Sequence, residues 1–392
     1  ELQLQIKEKE IILRCKKRDL REDQDQRKPV GEQNEAGSLA GIYNEEKKIS
    51  VNTGKHQEQE LSENTEKYIE KSMDSIMKAI DKDCEVIFVN DGSTDKSKEK
   101  IMEFMKKLPE EYKENFRYTE KENKGLADTK NVGIELSRGK FISVVDSDDY
   151  ISDDFYKIAR RYVNDYDIII YDVYVVFEKD KKLNYVSRAK SDWKENTKVA
   201  LMNGAISGSS CNKIIKKDLY NGYVFPVGKQ YEDTAVTPFI LSETDKIKYV
   251  PYPLYYYLQR EKSIVATNTL MSAYYKICEN ISVVLRDKNL EKYKYVINEF
   301  VLDRMLDMLT QDFKENKKSF LKNVQELANN NKQVIDYIVN SNMIDTIENH
   351  YSERQKQVVK EILKYLQNSQ YSEIKKLLRI RESLNSIRKI WR

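Results

Sequence analysis

Histidine and cysteine are scarce in this sequence: His56 and His350, and Cys15, Cys84, Cys211 and Cys278, in 392 residues. Two imidazoles leave little from which to assemble a histidine-rich metal site or a Ser-His-Asp triad. The cysteines lie far apart, without the close pairing of a zinc site or a small disulfide scaffold, so reduced thiols are expected. Chemistry therefore falls to carboxylates. No stretch approaches the roughly 18–20 uninterrupted apolar residues of a membrane span, and the opening Glu-Leu-Gln-Leu-Gln lacks a basic segment followed by an apolar one. These absences point to a cytoplasmic protein whose membrane contact, if it has any, is peripheral and on the inner face. An excess of one charge is missing too. With 68 Lys and Arg against 65 Asp and Glu, the formal charge of +3 argues against a nucleic-acid partner gripped over the whole surface.

A chain of this length exceeds the usual size of one domain, so a catalytic core with an appended element is expected. Residues 1–48 are dominated by Lys, Arg, Glu, Asp and Gln, with one apolar cluster at Ile11, Ile12 and Leu13. Such an arm buries little and is expected to be partly disordered or helical. From 49 to 268 short β-rich runs alternate with helical stretches, the pattern of an α/β fold with a mainly parallel sheet. Strands are predicted at 85–89, 116–118, 141–145, 167–171 and 173–177, and helices at 94–107 and 126–137. Over 269–392 apolar residues recur at three- and four-residue spacings, which predicts an α-helical region.

The strand at 141–145 runs straight into Asp146-Ser147-Asp148-Asp149. In an open α/β sheet ligands bind in the crevice beyond the carboxyl ends of strands. Acids crowded there repel one another unless a cation or a hydrogen-bond network compensates, and carboxylate oxygens suit Mg2+ or Mn2+, which complete their shells with water and substrate phosphates. By itself an Asp-x-Asp sequence is also an ordinary turn or cap. A second strand delivers Asn90-Asp91-Gly92-Ser93-Thr94-Asp95 in the same manner, with a helix following and Gly92 permitting close backbone approach. Two acidic strand ends make a plausible nucleotide pocket.

The run 85–95, then Glu122-Asn123-Lys124-Gly125-Leu126 with Lys130-Asn131-Val132-Gly133, then 139–149, resembles the inverting family 2 glycosyltransferases of the GT-A fold, in order and in spacing. Cys211-Asn212-Lys213-Ile214-Ile215, Tyr231-Glu232-Asp233 and Tyr255-Tyr256-Tyr257-Leu258-Gln259-Arg260 resemble later motifs of bacterial polysaccharide and cell-surface members. The resemblance implies a Rossmann-like nucleotide-diphospho-sugar transferase core over 49–268. It implies transfer of a sugar, with inversion, from a UDP-sugar donor to a hydroxyl of a surface polysaccharide or lipid-linked glycan acceptor. Asp91 would then bond the base, with Ser93 beside it. Asp146, Ser147 and Asp148 would face the ribose and diphosphate, and Asp146 and Asp148 the metal, with Asp149 in support. Lys130 and Arg260 would approach the phosphates. Asp233 would be the base, with Glu232 in reserve.

The match departs at the start of the fold, where relatives carry an apolar strand. Here Ile49-Ser50-Val51 begins one, but residues 52–63 are polar, a composition unusual for a central strand. That departure implies a weakened nucleotide pocket, and its alternative reading is a catalytically impaired nucleotide-binding protein. A sugar-phosphate nucleotidyltransferase is a further alternative, though no early Gly-rich basic loop supports it. At the other end, Ile374, Leu377, Leu378, Leu384, Ile387 and Trp391 fall near one helical face among basic residues. Residues 371–392 are thus either a core-facing helix or a helix lying on an anionic membrane.

Overall fold

The computed structural model describes residues 49–55, 65–179, 183–186, 208–260, 270–346 and 352–383. The 1–48 arm, Cys15, both histidines and residues 261–269 lie outside these residues.

Strands β2 (Cys84–Asn90) and β4 (Phe141–Asp146) are apolar runs buried almost end to end, as strands covered on both faces must be. Between them runs β1 (Ile49–Lys55), parallel to both, with Val51 opposite Val86 on one side and Ser143 on the other. The sequence reading ends this strand near Val51. The structure carries it to Lys55, because a central strand is held by backbone hydrogen bonds on both edges, which polar residues supply as well as apolar ones. β3 (Phe116–Glu120) continues the parallel array beyond β2.

The other half of the sheet is mixed. β8 (Lys213–Lys216) lies antiparallel to β4 and to β6 (Ile168–Phe177), and β6 runs parallel to β9 (Ile247–Gln259). Short β5 (Tyr150–Ile151) closes that edge, and β7 (Leu183–Val186) adds on to β6, giving the order β3-β2-β1-β4-β8-β6-β9-β5. The two strands expected at 167–171 and 173–177 are this one continuous β6. The polar Asp172 between them marks the register shift against β9, where the Tyr249 hydroxyl reaches both carboxylate oxygens at 2.7 Å.

Helices α1 (Ile69–Ala79), α2 (Ser97–Lys106) and α3 (Leu126–Leu136) connect the parallel strands. The chain passes from β1 to β2 and β3 on one side, then returns to place β4 on the other side of β1. The direction therefore reverses between β1 and β4, and ligand crevices in open sheets form beyond the carboxyl ends at such a reversal. Asp146 is the last residue of β4.

Two apolar cores share the unit Glu45–Arg392. One joins α1, β2, β4 and β6 through residues such as Met73, Phe88, Phe141 and Ile169; the other joins the C-terminal helices through Ile281, Leu306, Val324 and Ile362. Helix α4 (Glu232–Ser242) contributes to both. Val236 and Ile240 enter the sheet core, while Ala235 and Phe239 enter the helical one. A helix apolar on all sides is one that is buried all round, and this one carries Glu232 and Asp233 at its start.

Candidate active site

At the end of β4 the chain turns sharply, the Asp149 amide donating to the Asp146 carbonyl at 3.0 Å. Asp149 points inward and both its oxygens are used. The Tyr255 hydroxyl donates to one and the Leu258 amide to the other, each at 2.7 Å. The same Tyr255 oxygen accepts the Asp146 amide at 3.2 Å, so one side chain of β9 fastens the turn at two points. Burial, reinforced by Asp148 and Asp146, pushes the Asp149 carboxyl well above the usual range. Its part is to support the turn.

Asp146 and Asp148 follow at the carboxyl end of β4, both half-buried. The Cys211 thiol donates to Oδ2 of Asp146 at 3.0 Å, while Oδ1 is buried without a hydrogen-bond partner. Burial and the neighbouring Asp146 carboxylate hold the thiol protonated, as a donor must be. Oδ2 of Asp148 lies 2.9 Å from Nη2 of Arg260, whose guanidinium also sits over the Tyr68 ring, 5.8 Å from its centroid. Burial raises the Asp148 carboxyl even against that arginine. Ser147, between them, is buried.

Lys130 of α3 joins this strand end to the start of α4. It is buried, with Nζ 2.7 Å from Oε1 of Glu232 and 5.6 Å from the centre of the Phe225 ring. Burial alone would lower its pKa, but the carboxylates of Glu232, Asp233 and Asp146 outweigh that and raise it well above the ordinary lysine value. Glu232 is pushed up by burial, against the pull of Lys130. Next to it, Asp233 is half-buried and its Oδ1 accepts the Thr234 amide at 2.7 Å. Tyr231, immediately before, adopts φ 62° and ψ 33°, a left-handed conformation costly for a residue with a β-carbon.

Asp91 is turned inward as well. It is ion-paired with Lys121 and accepts the amides of Lys124 at 2.9 Å and Gly125 at 2.8 Å, so it pins the 121–125 loop against the end of β2. Ser93 bonds back to the Asn90 side chain. Gly92 has φ +66° and a β-carbon there would lie 3.1 Å from the Asn123 amide nitrogen, so this turn requires glycine.

The structure thus sorts the candidate residues. Asp91, Asp149, Glu232 and Lys130 are committed to internal partners, while Asp146, Asp148 and Asp233 are only half-buried. Cys211 and Tyr255 bond to Asp146 and Asp149, contacts that sequence reasoning does not foresee: it takes Tyr255 for a packing residue and Cys211 only as part of a motif shared with glycosyltransferases. The donor set suits a hard divalent cation: the carboxylate oxygens of Asp146 and Asp148, one of them on Asp146 buried and unpartnered, and Asp148 destabilised as an anion by burial. Among the described residues no three His, Cys, Asp or Glu side chains form a protein-only cage. A cation held by one or two carboxylates takes its other ligands from phosphate and water.

Comparison with known proteins identifies the family. The profile described as "Glycosyl transferase family 2" matches residues 62–223, beginning after β1 and ending before α4. EpsH of Bacillus subtilis (strain 168) is 30% identical over 251 residues, covering 61% of this chain and 72% of EpsH. The chain belongs to glycosyl transferase family 2. Another relative of this family 2 glycosyltransferase is "Glycosyltransferase GlyG" of Streptococcus pneumoniae serotype 4, 29% identical over 244 residues, covering 57% of this chain and 77% of GlyG. In fold, the chain is similar to S. aureus TarS residues 1–349, solved in complex with UDP-GlcNAc, with a TM-score of 0.59 at 20% identity over 85% of this chain and 91% of that one. The fold is GT-A with a helical C-terminal region.

Proposed function

We propose that this protein transfers a sugar from a UDP-sugar to a hydroxyl of a surface polysaccharide or lipid-linked glycan, with inversion and with a divalent cation, Mg2+ or Mn2+. The observation that carries the proposal is that Asp146, at the end of β4, and Asp233, at the start of α4, both act on the buried Lys130, which is paired with Glu232. TarS, which shares the fold, binds UDP-GlcNAc and UDP, and this supports a UDP-sugar as donor.

Asp146 and Asp148 would hold the cation, which when bound neutralises the departing diphosphate. Asp233 takes the proton from the acceptor hydroxyl as that oxygen bonds to the anomeric carbon and the bond to the diphosphate oxygen breaks. Asp233 suits this role better than Glu232, since Glu232 is buried against Lys130. Arg260 exchanges its bond to Asp148 for one to the diphosphate. Ser93 and Ser147 line the nucleotide side, and Asp91 acts there through the loop it pins. In this reading 49–268 is the catalytic domain and 269–392 the helical region that completes it.

The alternative of an impaired nucleotide-binding protein loses the part of its ground that rested on the first strand, since β1 is an interior strand of the sheet; the polar residues after Lys55, 56–63, lie outside the described residues. Screening nucleotide-sugars, UDP-GlcNAc included, for UDP release with Mn2+ tests the proposal. Metal-dependent release from at least one donor is expected. UDP binding without release from any donor would favour the impaired protein, and pyrophosphate release from a nucleoside triphosphate would favour a nucleotidyltransferase.

A further inference from the structure

Helix α5 (Leu270–Leu285) lies beyond the family-matched segment, yet one face of it grips the two residues that precede the Tyr231 turn. Asn280, with no exposed surface, donates from Nδ2 to the Gln230 carbonyl at 2.7 Å. One turn earlier, Lys276 donates to the Gln230 side chain, and Glu279 pairs with Lys229. Positions 276, 279 and 280 share a helix face by their spacing of three and four. Tyr231 itself packs on the helical core. Its left-handed backbone is unfavourable for a tyrosine and persists only where the surroundings over-determine it.

We propose that α5 sets the position of Asp233 by holding this strained turn, with Asn280 as the principal positioning residue. The inference rests on the reading of Asp233 as the base. A carboxylate carried two residues past a fixed αL residue keeps its direction only while the turn is kept. Without the Asn280 bond, the Gln230–Tyr231 peptide relaxes and Asp233 leaves the line of the acceptor hydroxyl. Misplacement by about 1 Å is enough to cost roughly a hundredfold in rate.

The test uses Asn280→Ala and, as a milder second variant, Lys276→Met in the full chain. Turnover of the donor found by the UDP-release screen, UDP binding with Mn2+ and amide exchange are measured on each. The expected result is faster amide exchange confined to residues 229–234 and a kcat lower by about ten- to hundredfold for Asn280→Ala. Donor KM and UDP affinity stay within about twofold of the wild type, a split that loss of fold would not give. Lys276→Met moves exchange and kcat in the same direction, by less. Wild-type exchange over 229–234 in both variants overturns the proposal, as does wild-type kcat in Asn280→Ala. Asp233→Asn run in parallel separates the two failures. If it leaves turnover intact, the reading of Asp233 falls; if it abolishes turnover while Asn280→Ala does not lower it, only the positioning role falls.

Discussion

Lys130 and Glu232 have side chains 3% and 6% exposed, so removing one leaves the other charge buried without its partner. Lys130→Met is expected to destabilise the protein by about 3–5 kcal/mol in urea unfolding. Replacing both by apolar residues should cost less, and a single-variant loss below about 1 kcal/mol would mean that solvent reaches the pair. Asp148 is paired with Arg260, and both side chains are partly exposed. Asp148→Ala should therefore leave the fold intact and weaken metal-dependent UDP binding in isothermal titration; unchanged binding would remove it from the cation site. The acids themselves were legible in the sequence because they follow apolar strands directly. Their partners were not. Cys211 lies 65 positions from Asp146, and Tyr255 lies 106 from Asp149. Only tertiary packing brings such groups together, and no local pattern announces which thiol or hydroxyl will arrive.

Among the elements, β2, β3, β4, α2 and α3 were readable because each carries its own signal, an apolar run or a 3.6-residue period with a turn after it. β1 was only half readable. Its polar half is strand by virtue of neighbours on both edges, which propensity does not register. The split of β6 into two arose from Asp172, whose polarity mimics a break until Tyr249 is seen to satisfy it. Of the two readings of the 371–392 stripe, the core-facing one holds over its first part. Over helix α6 (Tyr371–Ser383), Ile374 and Leu378 are buried in the helical core and Leu377 packs against it, so this stretch of the apolar face is not turned to a membrane. Ile374→Ala is expected to cost about 2–5 kcal/mol in urea unfolding. A loss below about 0.5 kcal/mol would return that face to the solvent or to a lipid surface. Residues 384–392, with Leu384, Ile387 and Trp391, lie outside the described residues.

At the scale of the molecule, the site holds more buried acid than base. Burial raises the carboxyls of Asp148, Asp149 and Glu232. An acid whose folded pKa lies above its unfolded value binds more protons in the native state. Its contribution to stability is thus fully present below about pH 4 and is lost as pH rises towards the folded value. With chelator present, thermal stability should fall with rising pH through that window, and less steeply in Asp149→Asn. A slope unchanged in that variant would show that Asp149 titrates as an ordinary surface carboxyl. Mn2+ with UDP, which binds the folded state, should stabilise most at the upper end of the window.

The same excess of carboxylate is what the proposed reaction uses, with Asp146 and Asp148 facing the donor and Asp233 facing the acceptor. The most direct test of that account is UDP release by Asp233→Asn, beside UDP binding by the same variant. The account predicts a rate lower by about 10²–10⁴ with UDP affinity retained. Near-normal release would contradict it.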